Sequence, residues 1–381
     1  MKPTPTVLRL FACALLLGGA LTGFAGGAAA GAPELPGPPR TAKKSTGIEI
    51  VPRLEPPLGA RPFREQDLAG YVLVYFKDET HSAYLAISRD GYTFTDVNGG
   101  EPVFDGELLA EQKGVRDPHL TRGPDGAFYL AMTDLHIFGD RAGFRTTRWQ
   151  RPAEKYGWGN NRALVLMKSW DLIHWTHADF RVDLAFPELG DIDCAWAPET
   201  TFDPAKGRMM VYFTIRHGNA DANIYYAYAD DAFTRLTTTP QMIANVGGID
   251  GDLTQVGDRW HLFFVADARI RHAVSREITR GYVAEARRID PEDKSTEAPN
   301  VFRRLGTDTY VLMYDVYGAN PHNMGFSETT DFARYKNLGH FNEGVMRGAN
   351  FERPKHGAVS YLTREELNSV ATHWHVSLKL N

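Results

Sequence analysis

Hydrophobic and polar residues alternate through most of the chain in short segments that turn-forming residues separate. The clearest hydrophobic segments are rich in aromatic and β-branched residues and lie at 71–76, 128–132, 209–214, 260–265 and 309–314. Alternation over segments this short predicts β-strands. Turns with Pro, Asp or Gly precede the last four segments, as at 124–126 and 204–207. One short helix candidate lies at 363–370.

Each of these strands is followed by a second strand, and the pair recurs as a unit of blade-like length. Four units cover about 117–180, 196–238, 249–284 and 297–337, and a fifth joins 71–94 to a C-terminal strand near 357–362. Repetition at this spacing favours an all-β, five-bladed β-propeller. Pairing of the N- and C-terminal strands would close the ring and cover its edges. A β-sandwich is the alternative that the strand pattern leaves open.

The first 30 residues have the pattern of a secretory signal peptide. Lys2 and Arg9 precede an apolar run at 10–21, and three alanines follow at 28–30. The run is short for a membrane span, so we expect a secreted or periplasmic protein without membrane contact after cleavage. A Pro/Gly-rich stretch at 31–66 predicts a linker or arm. The propeller domain is then expected at 67–370 and a C-terminal tail at 371–381.

Composition narrows the partners of the chain. The 42 basic and 47 acidic residues give a net charge of −5, which excludes a basic surface for nucleic acid. Cys13 lies inside the signal peptide, so Cys194 has no partner for an internal disulfide. Aromatic residues make up 12% of the chain, which suits sugar faces and all-β cores equally. We expect a monomer.

Acidic or polar residues open the first strand of four units. The strings are Arg116-Asp117-Pro118-His119, Trp196-Ala197-Pro198-Glu199, Ile249-Asp250-Gly251-Asp252 and Thr296-Glu297-Ala298-Pro299. The first strand of each blade lines the channel of a propeller, so these acids should converge from different blades. Buried carboxyl groups that lie close together shift one another's pKa, and such an arrangement indicates a functional site.

These strings, in this order, resemble glycoside hydrolase family 43 from about residue 70 to 365. The resemblance implies a five-bladed propeller that hydrolyses O-glycosyl bonds. The family has its general base in an Asp-Pro string, which implies this role for Asp117. It has its general acid in Glu-Gly-Pro or Glu-Ala-Pro, which implies Glu297. A third acid, which orients and tunes the general acid, lies in Trp-Ala-Pro-Asp and corresponds to Glu199, where Glu replaces Asp and reaches one methylene further.

The family is inverting, and the resemblance implies exo action on oligo- or polysaccharides. The released sugar would be a terminal furanose or pentose such as α-L-arabinofuranose, β-D-xylose or β-D-galactofuranose. Loops rather than the fold decide which sugar is released. Two alternatives stay open: a non-catalytic carbohydrate-binding propeller, and an enzyme that depends on a metal at His356.

Further residues are candidates for binding. Trp196 and Trp158 are expected to wall the sugar pocket, with core packing as the alternative for Trp196. Asp250 lies two residues from Asp252 and so on the same strand face; it is a candidate acceptor for a sugar hydroxyl, and turn formation is its alternative. Arg271 is a second hydroxyl-binding candidate. The chemistry needs no cofactor, and the resemblance suggests a structural calcium ion near His356 in the central channel.

Overall fold

The computed structural model describes residues 46–57, 64–139, 142–144, 151–218, 220–243 and 246–378. The predicted signal peptide at 1–30 and parts of the predicted arm and tail lie outside these residues. The domain boundaries given above therefore stay predictions.

The strands follow one another along the whole described chain. In chain order they are β1 (Glu49–Ile50), β2 (Leu68–Lys77), β3 (Ser82–Ser88), β4 (Thr93–Asp96), β5 (Val115–Arg122), β6 (Phe128–Asp134), β7 (Ala163–Ser169), β8 (His174–Arg181), β9 (Cys194–Asp203), β10 (Arg208–Arg216), β11 (Asn223–Tyr228), β12 (Gln241–Met242), β13 (Ile249–Val256), β14 (Arg259–Ala266), β15 (Arg269–Ser275), β16 (Val283–Ala284), β17 (Glu297–Arg303), β18 (Tyr310–Val316), β19 (Asn323–Thr329), β20 (Lys336–His340), β21 (Arg347–Gly348) and β22 (Lys355–Thr363). The α-helices are short: α1 (Gly106–Leu109), α2 (Ala153–Tyr156), α3 (Val182–Ala185) and α4 (Arg364–His373). No helix among the residues described is long and apolar enough to cross a membrane.

The strands form five separate sheets, which are the blades of a β-propeller. From the channel outwards, blade 1 is β5-β6-β7-β8 with β1 added in parallel, blade 2 is β9-β10-β11-β12, and blade 3 is β13-β14-β15-β16. Blade 4 is β17-β18-β19-β20, and blade 5 is β22-β2-β3-β4 with β21 added in parallel. The predicted five-bladed fold is confirmed, and the sandwich alternative is wrong because the strands do not divide into two sheets.

Blade 5 joins the two ends of the propeller. Its innermost strand, β22, comes from the C-terminal part of the chain and pairs antiparallel with β2, for example Val359 with Leu73. This is the closure predicted from the sequence. It leaves β5, β9, β13, β17 and β22 as the innermost strands, and successive ones contact each other around the channel.

The hydrophobic core consists of five layers, each shared by two neighbouring blades. Phe76 of blade 5 and Trp175 of blade 1, for instance, are fully buried in the same layer. The other layers join blades 1 and 2, 2 and 3, 3 and 4, and 4 and 5. Because a blade packs against a neighbour on both faces, central strands are hydrophobic on both sides, as in the fully buried β3. This explains the near-continuous hydrophobic segments in the sequence.

Helix α4 follows β22 and contacts blade 1. The side chain of Thr363 accepts from the backbone N–H of Glu366, whose carboxylate accepts from the backbone N–H of Thr363, a reciprocal cap that starts the helix. Leu367 and Val370 face the core. Both terminal nitrogens of Arg122 on β5 donate to the Glu366 carboxylate at 2.6 Å.

We expect the Arg122→Met variant to lose about 2–4 kcal/mol of unfolding free energy, because it leaves the shielded Glu366 carboxylate without its bidentate partner. Urea denaturation followed by tryptophan fluorescence measures the loss. Arg280→Met is the matched control: it removes an ion pair to Glu277 between mostly exposed side chains and should leave the curve nearly unchanged. Equal curves for the two variants would contradict the prediction.

Candidate active site

Each innermost strand interrupts its regular pairing at the same place. The register shifts by one residue between Arg116 and His119, and equivalent shifts occur in the other four blades. At each shift one residue has positive φ: Asp117 (50°), Ala197 (44°), Asp250 (51°), Ala298 (55°) and His356 (22°). We call these the bulge residues. Positive φ is unfavourable for residues other than glycine, and β-bulges re-aim side chains next to active sites.

The bulges divide the channel into two levels. Immediately before the bulge residues come Arg116, Trp196, Ile249, Glu297 and Lys355, which form the channel mouth. Two residues after them come His119, Glu199, Asp252, Asn300 and Ala358, which form the inner belt. Every inner-belt residue is buried, whereas all mouth residues except Arg116 are partly exposed. The channel is therefore accessible from the mouth, and a ligand would meet the mouth residues first and the bulge residues next.

Asp117 is held as a carboxylate by its neighbours. Thr133 Oγ1 on β6 donates to Asp117 Oδ2 at 2.9 Å, and His356 Nδ1 lies 3.4 Å from Asp117 Oδ1. Burial alone would raise the pKa of Asp117, but the hydrogen bond and charge of His356, together with Arg116 and Thr133, outweigh it and leave the pKa below its ordinary value. Asp117 is therefore ionised at neutral pH and suited to accept a proton.

Glu297 has the opposite environment. Burial is the largest influence on its carboxyl; Lys355 opposes it, while the charges of Asp250 and Asp315 add to it, and the pKa of Glu297 rises to about 7. Glu297 therefore holds its proton up to neutral pH. Two carboxyl groups whose pKa values are pushed apart in this way are the usual pair of a general base and a general acid.

Asp250 connects these two acids electrostatically. Its carboxylate accepts a hydrogen bond from the backbone N–H of Ala298, the residue after Glu297. Burial raises the pKa of Asp250 to about 6, with His356 opposing the shift and the charge of Asp117 adding to it. The sequence analysis expected a hydroxyl acceptor at this position. The structure places Asp250 among the acids, in the bulge position of blade 3 that corresponds to Asp117 in blade 1.

Glu199 does not lie where the sequence analysis expected it, beside Glu297. It belongs to the inner belt, where Tyr212 donates to Glu199 Oε2 at 2.9 Å and His119 Nε2 lies 3.6 Å from the same oxygen. The two acidic strings look alike, but Glu297 precedes its bulge and Glu199 follows it. Three residues along a strand separate these levels by about 10 Å.

The inner belt ties consecutive blades together. The backbone N–H of Thr200 donates to His119 Nδ1 at 3.2 Å, Asn300 Nδ2 donates to Asp252 Oδ1 at 3.0 Å, and the N–H of Val359 donates to Asn300 Oδ1 at 3.0 Å. Burial raises the pKa of Glu199 and of Asp252, which share a hydrogen bond. The sequence analysis missed this belt, although the fourth residues of the first three strings and Asn300, directly after the last string, belong to it.

The contacts of His356 do not fit a metal ligand. Its Nδ1 faces Asp117, and although burial works against the charged form, Asp117 raises the pKa of His356 to about 9. A protonated imidazole has no free lone pair for a metal. Of the residues described, the two groups of three whose possible ligand atoms all lie within 4.8 Å are His119–Glu199–Asp252 and Glu111–Asp134–Asp179, and neither includes His356. The calcium ion stays a prediction.

The charged side chains at the mouth are paired. Arg116 and Lys355 both contact the carboxylate of Asp78, Arg116 at 2.5 Å and Lys355 at 3.0 Å. Burial opposes the ionised form of Asp78, but these two cations hold its pKa well below the ordinary value. Asp78 was not predicted because it follows β2, outside the acidic strings.

Aromatic residues form one side of the mouth. Trp196 Nε1 donates to the carbonyl of Gly159 at 2.8 Å, and the rings of Trp158 and Trp196 meet edge to face at 6.2 Å. The guanidinium of Arg216 lies 4.6 Å from the Trp196 ring. Trp158 is 49% exposed, so the pair presents a ring surface to solvent at the mouth. That these rings wall a sugar pocket stays a prediction.

Arg271 lies away from the site. It is on β15, the third strand from the channel in blade 3, and donates to the carbonyl of Ala286 at 3.1 Å. Two strand spacings place it about 10 Å outside the innermost strand. This position does not favour the expected contact between Arg271 and the sugar, which stays a prediction, because sequence order does not show how far from the channel a strand lies.

The sequence matches a family described as probable glycosyl hydrolase domain, related to glycoside hydrolase family 43, over residues 66–368. No curated protein matches it.

Solved structures similar to the chain include three glycoside hydrolases. A family 43 protein from Bacillus licheniformis is 15% identical over 58% of this chain and 40% of its own, with a TM-score of 0.41. A family 62 α-L-arabinofuranosidase catalytic domain from Coprinopsis cinerea is 17% identical over 62% and 72%, with a TM-score of 0.43. A family 43 arabinoxylan arabinofuranohydrolase from Bacillus subtilis, in complex with cellotetraose, is 16% identical over 64% and 54%, with a TM-score of 0.45.

The family match covers the whole propeller and includes the strands that carry Asp117, Asp250 and Glu297. The chain therefore belongs to the family of probable glycosyl hydrolase domains related to glycoside hydrolase family 43.

Proposed function

We propose that the protein is an exo-acting, inverting glycoside hydrolase that releases a terminal furanose or pentose from an oligo- or polysaccharide. The observation that carries this proposal is the pair of Asp117 and Glu297 near one accessible channel mouth, with the pKa of Asp117 held below its ordinary value and that of Glu297 raised to about 7. The pattern of the first 30 residues supports action outside the cytoplasm.

The reaction uses both carboxyl groups in one step. Asp117 removes a proton from a water molecule as the water oxygen attacks the anomeric carbon. Glu297 donates its proton to the glycosidic oxygen, and the bond between that oxygen and the anomeric carbon breaks. The products are a sugar of inverted configuration and an alcohol, and proton exchange with water restores both acids. Thr133 orients the base through its hydrogen bond to Asp117 Oδ2.

Asp250 takes the role that the sequence analysis gave to Glu199. Its carboxylate is anchored next to Glu297 by the backbone N–H of Ala298, and its negative charge favours the protonated form of Glu297. Glu199 instead supports the channel from the inner belt, through Tyr212 and Asp252. This assignment follows from contacts rather than from the resemblance of the strings.

The charge pattern of the mouth favours a neutral sugar. Arg116 and Lys355 are held by Asp78, and His356 is held by Asp117. An acidic sugar would have to compete with these carboxylates for the cations. Trp158 and Trp196 supply ring surface on which a neutral sugar can pack.

The function is tested with nitrophenyl α-L-arabinofuranoside, β-D-xyloside and β-D-galactofuranoside. We expect nitrophenol release from one of them, unchanged by EDTA, and NMR should show the inverted anomer first. Release of the retained anomer would overturn the inverting mechanism. A protein that binds sugars by calorimetry but cleaves none of the three would be the non-catalytic carbohydrate-binding propeller instead.

A further inference from the structure

Asp315 is a buried carboxylate beside the acid Glu297 that neither the sequence strings nor the family match assigns. It lies on β18 directly opposite Glu297 on β17 and is 0% exposed. Residues directly opposite on antiparallel strands point to the same face with Cβ atoms about 4.5–5.5 Å apart. The two carboxyl groups of blade 4 are therefore neighbours.

The bonding of Asp315 is unusually sparse for a buried acid. Within the described part of the chain, neither oxygen has a hydrogen-bond partner by ordinary geometry. Its close charged contact is His322, whose Nε2 lies 3.5 Å from Asp315 Oδ1 and also donates to the carbonyl of Pro354 at 3.2 Å. A carbonyl can only accept, so Nε2 carries a hydrogen. An acid buried with so few partners costs stability, which indicates a role in the site.

Two other blades have a hydroxyl group at the position of Asp315. In blade 1 it is Thr133, which donates to Asp117 and accepts from the backbone N–H of Ala197 at 2.8 Å. In blade 2 it is Thr214, which accepts from the N–H of Asp250 at 3.3 Å. In these two blades the position supplies a hydroxyl between the blade's own inner strand and the next one, whereas blades 3 and 5 have Val265 and Phe76 there. Blade 4 has the carboxyl group of Asp315 at this position.

The charges around Glu297 come from several elements. They are Asp315 on β18, His322 between β18 and β19, Lys355 and His356 on β22, Asp250 on β13 and Arg116 on β5. Lys355 and His356 favour the ionised form of Glu297, and Asp250 and Asp315 oppose it. Asp315 is the acid on Glu297's own blade, while Asp250 is also bound to the backbone of Ala298.

Building on the proposed function, we propose that Asp315 is a positioning residue for Glu297: its charge keeps the general acid protonated, and His322 holds it in place. His322 also screens that charge, so the two residues influence Glu297 in opposite directions. A residue with a purely structural role would not produce this pair of opposite effects.

The test follows the titration of the Glu297 carboxyl by NMR, which does not require the protein to be catalytically active. Glutamate labelled with ¹³C at the side-chain carboxyl is incorporated, and the Glu297 signal is identified by its loss in Glu297→Gln. In Asp315→Asn, which keeps the shape and removes the charge, we expect the pKa of Glu297 to fall by about one unit. In His322→Gln we expect it to rise by at least about half a unit.

Asp203→Asn is the matched control. Asp203 is equally buried and accepts a hydrogen bond from Tyr228, but it lies at the far end of β9, so the titration of Glu297 should not move. A fall of less than about 0.3 unit in Asp315→Asn, or a rise, would overturn the proposal. If Asp315→Asn does not fold, the result with His322→Gln decides alone. The proposal is then overturned if the pKa of Glu297 does not rise in that variant.

The pH profile of kcat separates this proposal from the proposed function. We expect the alkaline limb to move with the carboxyl signal, to lower pH in Asp315→Asn and to higher pH in His322→Gln. A carboxyl that shifts while the limb stays in place supports the positioning role but shows that Glu297 is not the general acid.

Discussion

The Asp117→Asn variant should retain the fold and lose about 10²–10⁴-fold in kcat, the range that a positioned general base contributes. Asparagine can still accept the hydrogen bond from Thr133, but it cannot take a proton from water. Its neutral side chain also removes the carboxylate that lies nearest to His356 Nδ1. Because the base acts on water rather than on the sugar, we expect KM to change by less than about 3-fold.

Steady-state kinetics on the best nitrophenyl glycoside measure this loss, and Asp203→Asn is again the control. Small nucleophilic anions such as azide can replace the missing base in carboxylate variants. Partial rescue by azide, with a glycosyl azide of inverted configuration as product, would place Asp117 on the water side of the sugar. A variant that keeps more than about a tenth of the wild-type kcat would contradict the assignment.

The loss of activity in the Glu297→Gln variant should depend on how strongly the leaving group requires protonation. Dinitrophenol leaves without protonation, so we expect kcat on a dinitrophenyl glycoside to fall by about 10-fold or less, whereas the loss on an unactivated disaccharide should reach about 10³-fold or more. The control is Asp117→Asn, which should impair both substrates similarly. Equal losses on both substrates in Glu297→Gln would contradict its role as the acid.

The same variant should change the pH dependence. Glu297 must be protonated to act, and its pKa lies at about 7, so wild-type activity should fall as the pH rises through about 7. Asp117 must be ionised, and its pKa lies below the ordinary value, so activity should fall only at clearly acidic pH. In Glu297→Gln the alkaline limb near 7 should disappear while the acidic limb stays.

Much of the propeller could be predicted because its signals are local. Strands 71–76 and 309–314 are hydrophobic on both faces, and each blade indeed packs against two neighbours. The strings around Asp117 and Glu297 could be recognised because Asp-Pro and Glu-Ala-Pro stand at the start of their respective units. The pairing of β2 with β22 could also be expected, since a ring of blades has to close.

The differences from the sequence analysis concern properties that depend on register. Glu199 and Glu297 occur in similar strings, but only the bulge shows that one precedes it and the other follows it. Asp315 is an ordinary residue of a second strand until the pairing of β17 with β18 places it opposite Glu297. Arg271 looked available for a sugar because the order of strands within blade 3 is not visible in the sequence.

The sequence by itself therefore determined the number of blades, the way the ring closes and which strands bring carboxyl groups to the channel. Strand alternation and turn formation depend on residues that are close in sequence, so both can be recognised from the sequence. Only the tertiary structure decided which acid is ionised and which is protonated. A pKa depends on burial and on charges within a few ångströms, and for Glu297 those charges come from residues on four different blades.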